Sequence, residues 1–151
     1  TIMKKTTSQN GFTLIELIIV MVILGIMAAV AVPRYLDSIE NAEESAEDAV
    51  ISAIQAGLKQ HANNSLYTSG RATWPLNPFE TLSEPPSGLS ADGDMADIDG
   101  EWTFDSTASV ITHQRNDNSR YYWEYNKGTQ DGDDADIGTL GSRVKVQATP
   151  E

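Results

Sequence analysis

A long apolar run near the N-terminus constrains this chain more than any other feature. Residues 12–32 carry one charged side chain, Glu16, and are otherwise almost entirely apolar. A helix rises about 1.5 Å per residue, so a run of this length spans the roughly 30 Å hydrocarbon core of a bilayer. The run is longer than the apolar part of a secretory signal peptide. We therefore predict a membrane-spanning helix, with Lys4 and Lys5 on the cytoplasmic side.

Glu16 is unexpected in such a segment, because a charge within the bilayer is unfavourable and usually has a partner. No basic residue lies within a helical turn or two of it. Two explanations remain open. If the chain is cut between Gly11 and Phe12, the new α-amino group of Phe12 supplies a cation, in the same chain or in a neighbouring one. Otherwise the Glu16 side chain extends to the lipid headgroups.

The segment GFTLIELIIVMVILGIMAAVAVP resembles the N-terminal signature of type IV pilins and type II secretion pseudopilins. The matching residues are Gly11, Phe12, Thr13, Leu14, Glu16, Gly25 and Pro33. The resemblance implies that residues 1–11 are a leader peptide, removed by the prepilin peptidase on the cytoplasmic face, and that Phe12 is then N-methylated. It also implies that Glu16 pairs with the Phe12 amine of the adjacent subunit in a filament.

Two residues weaken the apolar helix. Pro33 has no N–H to donate to the carbonyl of Ala29, and its ring crowds that turn. Gly25 is about 1 kcal/mol less favourable than Ala in a helix. We expect the stretch from Gly25 to Pro33 to bend, and the resemblance implies that it extends when subunits pack into a filament. An ordinary kink at Pro33 is the alternative.

Residues 34–61 continue the helix as an amphipathic segment, since small and apolar residues recur every three or four positions. This stripe is formed by Leu36, Ile39, Ala42, Ala46, Ala49, Val50, Ala53, Ile54 and Gly57. A neighbouring face carries acidic residues, namely Asp37, Glu40, Glu44, Glu47 and Asp48, with Glu43 at its edge. We expect that face to be solvated or to pair with basic residues of a neighbouring subunit. The candidates are Arg34, Arg71, Arg115, Arg120, Arg143 and Lys145.

The remaining sequence predicts a connecting loop over 62–100, where prolines preclude a regular helix, and a β region over 101–151. Four segments read as short strands separated by turns: EWTFDS, ASVITHQ, SRYYWEYN and SRVKVQA. The aromatic residues of the third segment indicate a half-buried strand or a ligand surface. We predict an α+β fold, in which a long N-terminal helix, membrane-spanning over 12–33 and amphipathic over 34–61, packs on a small antiparallel sheet of about four strands.

Composition and motifs exclude several functions. The formal net charge of −12 argues against binding nucleic acid, which requires clustered Lys and Arg. The chain has no Cys, so disulfides and thiolate metal sites are excluded. No catalytic or phosphate-binding motif is present, and we expect no enzymatic activity. His61 and His113 lack metal-ligand partners at a suitable spacing, and we expect them at the surface or at a helix end.

Two acidic loops, 92–100 and 131–138, are rich in the oxygen ligands that bind Ca²⁺, although neither has EF-hand spacing. The alternative is that both are solvated turns. The candidate calcium ligands are Asp131, Asp133, Asp134 and Asp136. Apart from calcium we expect no cofactor.

These observations predict a pilin or pseudopilin, the structural subunit of a type IV pilus-like filament that serves adhesion, motility, uptake or type II protein secretion. The resemblance implies a homo-oligomeric filament, or one with related pilins, and contacts with the prepilin peptidase and an inner-membrane assembly platform. The protein would first cross the inner membrane once, and then join a periplasmic pseudopilus or an extracellular pilus. The alternative is a membrane-tethered module that does not polymerise and whose acidic domain binds calcium or a partner.

Overall fold

The computed structural model describes residues 11–129 and 137–147. Within them the fold is α+β, as the sequence predicts. In chain order the elements are helix α1 (Leu14–Ser69), a 3-10 helix (Pro78–Thr81), and strands β1 (Trp102–Asp105), β2 (Val110–Gln114), β3 (Arg120–Asn126), β4 (Thr139–Leu140) and β5 (Val144–Lys145). The chain divides into two compact units, the first ending at Glu44 and the second beginning at Ser45.

The first unit consists of the N-terminal part of α1, whose apolar side chains are exposed. All residues from 11 to 42 are exposed, including Met21 at 68%. The helix continues without interruption through Gly25 and Pro33, so a bend between them stays a prediction. Among the described residues, α1 is the one helix that is long and apolar enough to cross a membrane.

The C-terminal end of α1 differs from the prediction, since the helix ends at Ser69 rather than at His61. Two features extend it. Ala62 is buried, and Ser65 Oγ accepts from the backbone N–H of Thr73 at 2.8 Å, which ties the last turns to the chain that follows. Gly70 then ends the helix with φ of +76° and donates to the carbonyl of Leu66, as a left-handed C-terminal cap does.

The buried stripe of α1 is also rotated from the predicted one. The helix buries Ile51, Ile54, Leu58 and Ala62, together with the charged residue Glu47. Of the predicted positions only Ile54 is fully buried, and the small residues Ala46, Ala49 and Ala53 are exposed. The larger aliphatic side chains determine the packed face, because they remove more apolar area from water than alanine does.

The sheet is antiparallel throughout, and β3 is its central strand. β1 pairs with β2 and β2 with β3, in a register that aligns Phe104, Ile111 and Trp123. The two-residue strands β4 and β5 both pair with β3. The four predicted segments correspond to β1, β2, β3 and β5, and the addition is β4, which is too short to leave a periodic sequence signal.

The core of the second unit lies between α1 and one face of the sheet, with the 3-10 helix at its side. It consists of Ile51, Ile54, Leu58, Phe79, Trp102, Phe104, Ile111, Trp123 and Tyr125. The Trp102 ring stacks on the Trp123 ring, with centroids 5.6 Å apart. Trp123 and Tyr125 are buried while Tyr121 and Tyr122 are partly buried. The third of the four predicted segments, which is rich in aromatic residues, is thus a half-buried strand and not an exposed ligand surface.

Candidate functional site

The N-terminus of α1 is closed by a capping box formed by Thr13 and Glu16. Thr13 is the last residue before the helix, and Glu16 occupies its third position. The backbone N–H of Thr13 donates to Glu16 Oε2 at 2.8 Å, and the backbone N–H of Glu16 donates to Thr13 Oγ1 at 3.3 Å. The Thr13 hydroxyl also donates to Glu16 Oε2 at 2.8 Å. Two backbone donors that a helix otherwise leaves unsatisfied are thereby bonded.

The capping box gives Glu16 a role within its own chain. A carboxylate in the first turn also interacts favourably with the positive end of the helix dipole. The pattern Thr-x-x-Glu before an apolar run predicts this arrangement. Glu16 thus has a partner on its own segment that is not a cation.

The other signature residues lie along the same helix and do not meet in space. Gly11 and Phe12 precede the helix and are exposed, Phe12 at 89%. Gly25 and Pro33 lie inside α1, both exposed. The peptide bond between Gly11 and Phe12 thus lies outside the helix, in an exposed part of the chain.

A second cluster of charges is buried in the second unit, around Glu47, which is fully buried. Arg115 binds its carboxylate with two parallel bonds, Nε to Oε1 and Nη2 to Oε2, both at 2.7 Å. His113 Nδ1 donates to Oε1 at 2.9 Å, and Arg143 Nε lies 3.0 Å from Oε2. We call these four residues the Glu47 cluster. It joins α1 to the end of β2 and to the segment between β4 and β5.

Aromatic rings enclose the Glu47 cluster. The His113 ring stacks on Trp102 at 4.3 Å between centroids, and the Arg115 guanidinium lies 3.9 Å from the centre of the Tyr121 ring. Burial raises the pKa of the Glu47 carboxyl, but hydrogen bonds from Arg115 and His113 and the charges of these two residues outweigh burial. The pKa is therefore lowered from its ordinary value, and Glu47 is ionised at neutral pH.

Two residues of the acidic face of α1, Glu47 and Asp48, consequently pair within their own chain, and for its other acidic residues both alternatives stay predictions. Two of the candidate basic residues, Arg115 and Arg143, bind Glu47 of their own chain, and Arg143 also pairs with Asp48. His113 is buried in this cluster, contrary to the expectation that it lies at the surface. Sequence reasoning missed the cluster because Glu47 is more than sixty residues from each of its partners along the chain, a separation at which only the three-dimensional fold decides contacts.

The proposed calcium ligands, Asp131, Asp133, Asp134 and Asp136, lie outside the described residues. Within the described residues, no group of three or more His, Cys, Asp or Glu side chains is arranged to hold a metal ion. In the loop over 92–100, the backbone N–H groups of Asp97 and Ile98 donate to Glu101 Oε2 at 2.9 and 3.2 Å. Glu101 thus orders this loop through its backbone.

Residues 6–32 match the family model described as the prokaryotic N-terminal methylation motif. The chain is 32% identical over 103 residues to the type IV narrow pilus major component PilA5 of Thermus thermophilus, an alignment covering 68% of this chain and 83% of that protein. It is 35% identical over 126 residues to the type IV major fimbrial protein FimA of Dichelobacter nodosus, covering 80% and 69%.

Type II secretion system core protein G of Vibrio cholerae is 37% identical over 83 residues, which are 50% of this chain and 57% of that protein. No solved structure matches the chain.

A helix with an exposed apolar N-terminal part, an acidic residue in its first turn and a small helix-on-sheet unit together define the class of structural subunits of type IV pilus-like filaments. The chain belongs to the type IV pilin family.

Proposed function

We propose that this protein polymerises through the N-terminal part of α1 into a type IV pilus-like filament. The observation that carries the proposal is the apolar surface of residues 12–32, which is exposed in the described part of the chain. A surface of this size is stable in lipid or against the apolar helices of other copies. When the helix moves from lipid to a position among the helices of other copies, one apolar environment replaces another. Packing and polar contacts must therefore determine how the subunits are arranged in the filament.

Glu16 supplies the polar contact. Cleavage between Gly11 and Phe12 creates an α-ammonium group directly before Thr13, at the end of α1 where the carboxylate is held. In the filament, Glu16 of one subunit pairs with the Phe12 amine of an adjacent subunit and fixes the axial register between them. N-methylation of Phe12 preserves the positive charge, so the pair persists. Gly25 and Pro33 allow the helix between them to extend as subunits pack.

The location of the protein and its partners follow from this assembly. The precursor crosses the inner membrane once with its second unit outside the cytoplasm, and is processed by the prepilin peptidase. An inner-membrane platform then moves it into a periplasmic pseudopilus or an extracellular pilus, made of copies of this chain or of related pilins. We propose an architectural role without catalysis. Calcium bound by the acidic residues between 131 and 136 is part of the proposal for the intact protein.

Intact-mass measurement on membrane-derived protein tests the processing step. We expect a mass that lacks residues 1–11 and contains one additional methyl group, located on Phe12 by fragmentation. A Gly11→Leu variant is the matched control, because a bulky side chain at the cut should leave the leader attached. An uncut wild-type chain recovered from cells that contain an active prepilin peptidase would contradict the proposal and favour a non-polymerising tether.

A further inference from the structure

Residues 139–147, which belong to the second unit, pair with β3 through short stretches of backbone. β4 and β5 contribute two residues each, and two further backbone bonds run from Gly141 to the carbonyl of Glu124 and from Val146 to the carbonyl of Arg120. None of the residues 139–147 is fully buried, and Leu140 is the partly buried residue of the segment that packs against the core. Strands this short, with little buried apolar area, are marginal on their own, so side-chain contacts must hold the segment in place.

Arg143 provides such a contact between the two short strands. Its Nε lies 3.0 Å from Glu47 Oε2, and its Nη2 donates to Asp48 Oδ1, so one guanidinium bridges two consecutive carboxylates of α1. The chain has no cysteine, so a covalent link cannot serve this purpose. We call the contact of Arg143 with Glu47 and Asp48 the Arg143 clasp.

We propose that the Arg143 clasp is an ionic contact that weakens as ionic strength rises. Residues 139–147 then detach from β3 while the core stays folded. The outer half of the clasp is accessible to salt, because the Asp48 side chain is 65% exposed and that of Arg143 18%. Exposed ion pairs are screened by salt, whereas buried pairs are screened much less.

The Glu47 cluster explains why the segment can open without unfolding the core. When Arg143 leaves, the Glu47 carboxylate keeps its two bonds from Arg115 and its bond from His113. No buried charge is then left without a partner, which is the event that makes the loss of a buried ion pair strongly unfavourable. Opening releases the backbone of β3 from Tyr121 to Asn126 that β4 and β5 occupy in the closed state.

Hydrogen–deuterium exchange on the full chain in detergent tests the proposal, with rates read separately for residues 139–147 and for β1 and β2. In Arg143→Met we expect exchange of the segment to accelerate roughly tenfold, while β1 and β2 keep their rates. Lys145→Met is the matched control, because it removes a cation of the same segment that lies 5.7 Å from the centre of the Tyr121 ring of β3. Its effect should stay below about threefold.

Wild-type protein provides a second comparison that requires no substitution. Raising NaCl from about 0.05 M to about 1 M shortens the screening length roughly fivefold. The wild-type segment should then exchange faster and approach the rate of Arg143→Met only in part, because salt weakens the exposed Asp48 pair more than the buried Glu47 pair; the variant should respond little. The proposal is overturned if the Arg143 and Lys145 variants behave alike, if β1 and β2 accelerate by the same factor as the segment, or if salt leaves the wild-type segment unchanged.

Discussion

Replacing Glu47 by alanine should destabilise the second unit strongly, and the structure indicates by how much. The carboxylate is fully buried and binds Arg115, His113 and Arg143. In Glu47→Ala, Arg143 retains Asp48, but the Arg115 side chain, 2% exposed, loses both of its carboxylate bonds. Removing one partner from a buried pair typically costs about 3–5 kcal/mol, because the remaining charge stays buried. We expect a loss in that range in the free energy of unfolding.

Urea unfolding in detergent, followed by tryptophan fluorescence, measures this loss, since Trp102 lies against His113 in the cluster. Asp48→Ala is the matched control: it removes an exposed carboxylate from the adjacent position, and should cost about 0–1 kcal/mol. The double variant Glu47→Leu with Arg115→Leu should recover much of the lost stability, because the buried charges of both Glu47 and Arg115 are then removed. If Glu47→Ala costs no more than Asp48→Ala, the cluster does not hold the unit together.

Two further predictions concern the same unit. The folded-state pKa of Glu47 is lowered below its unfolded value of about 4.5, so its stabilising contribution is complete above that pH and is lost as the pH falls below it. In Glu47→Gln the urea midpoint should therefore fall less steeply in acid than in the wild type. Identical acid profiles for the wild type and Glu47→Gln would contradict this. A Cβ at Gly57 would lie 2.6 Å from Thr81 Oγ1 and 2.8 Å from its backbone oxygen, so Gly57→Ala should cost about 1–3 kcal/mol through overpacking. Gly25→Ala, which meets no neighbouring atom, is its control, and equal thermal stability of the two variants would refute the close approach.

Local patterns made much of this fold predictable. The apolar run, the amphipathic continuation and the four alternating segments each carry their own periodicity, and α1, β1, β2, β3 and β5 correspond to them. The end of α1 at Ser69 was missed, because Asn63 and Asn64 indicate a loop, while the buried Ala62 and the bond from Thr73 to Ser65 hold the last turns in the helix.

Contacts between distant parts of the chain were not predictable in the same way. Periodicity shows that α1 has an apolar face, but the larger side chains Ile51 and Leu58, and not the alanines, determine which face meets the sheet. That rotation carries Glu47 into the interior, where Arg115 becomes its partner. At the start of α1 the sequence was sufficient to predict the contact, because Thr13 and Glu16 have the spacing of a capping box.

The charge of Glu16 can be separated from its capping role by two substitutions. Glu16→Gln removes the charge, but glutamine at this position still accepts the backbone bond of a capping box. Thr13→Ala keeps the charge and removes the hydroxyl that caps the helix, which costs about 1 kcal/mol. Neither substitution alters the apolar surface of α1, so both variants should insert in the membrane as the wild type does.

The most direct measurement is the amount of filament that each variant forms, by electron microscopy of sheared material and by sedimentation, in cells that contain equal amounts of processed subunit. We predict that Glu16→Gln forms no filaments and that Thr13→Ala forms them at a reduced level. Normal filaments from Glu16→Gln, with the leader removed and the subunit in the membrane, would show that a charged pair at the trimmed N-terminus does not set the register of this assembly.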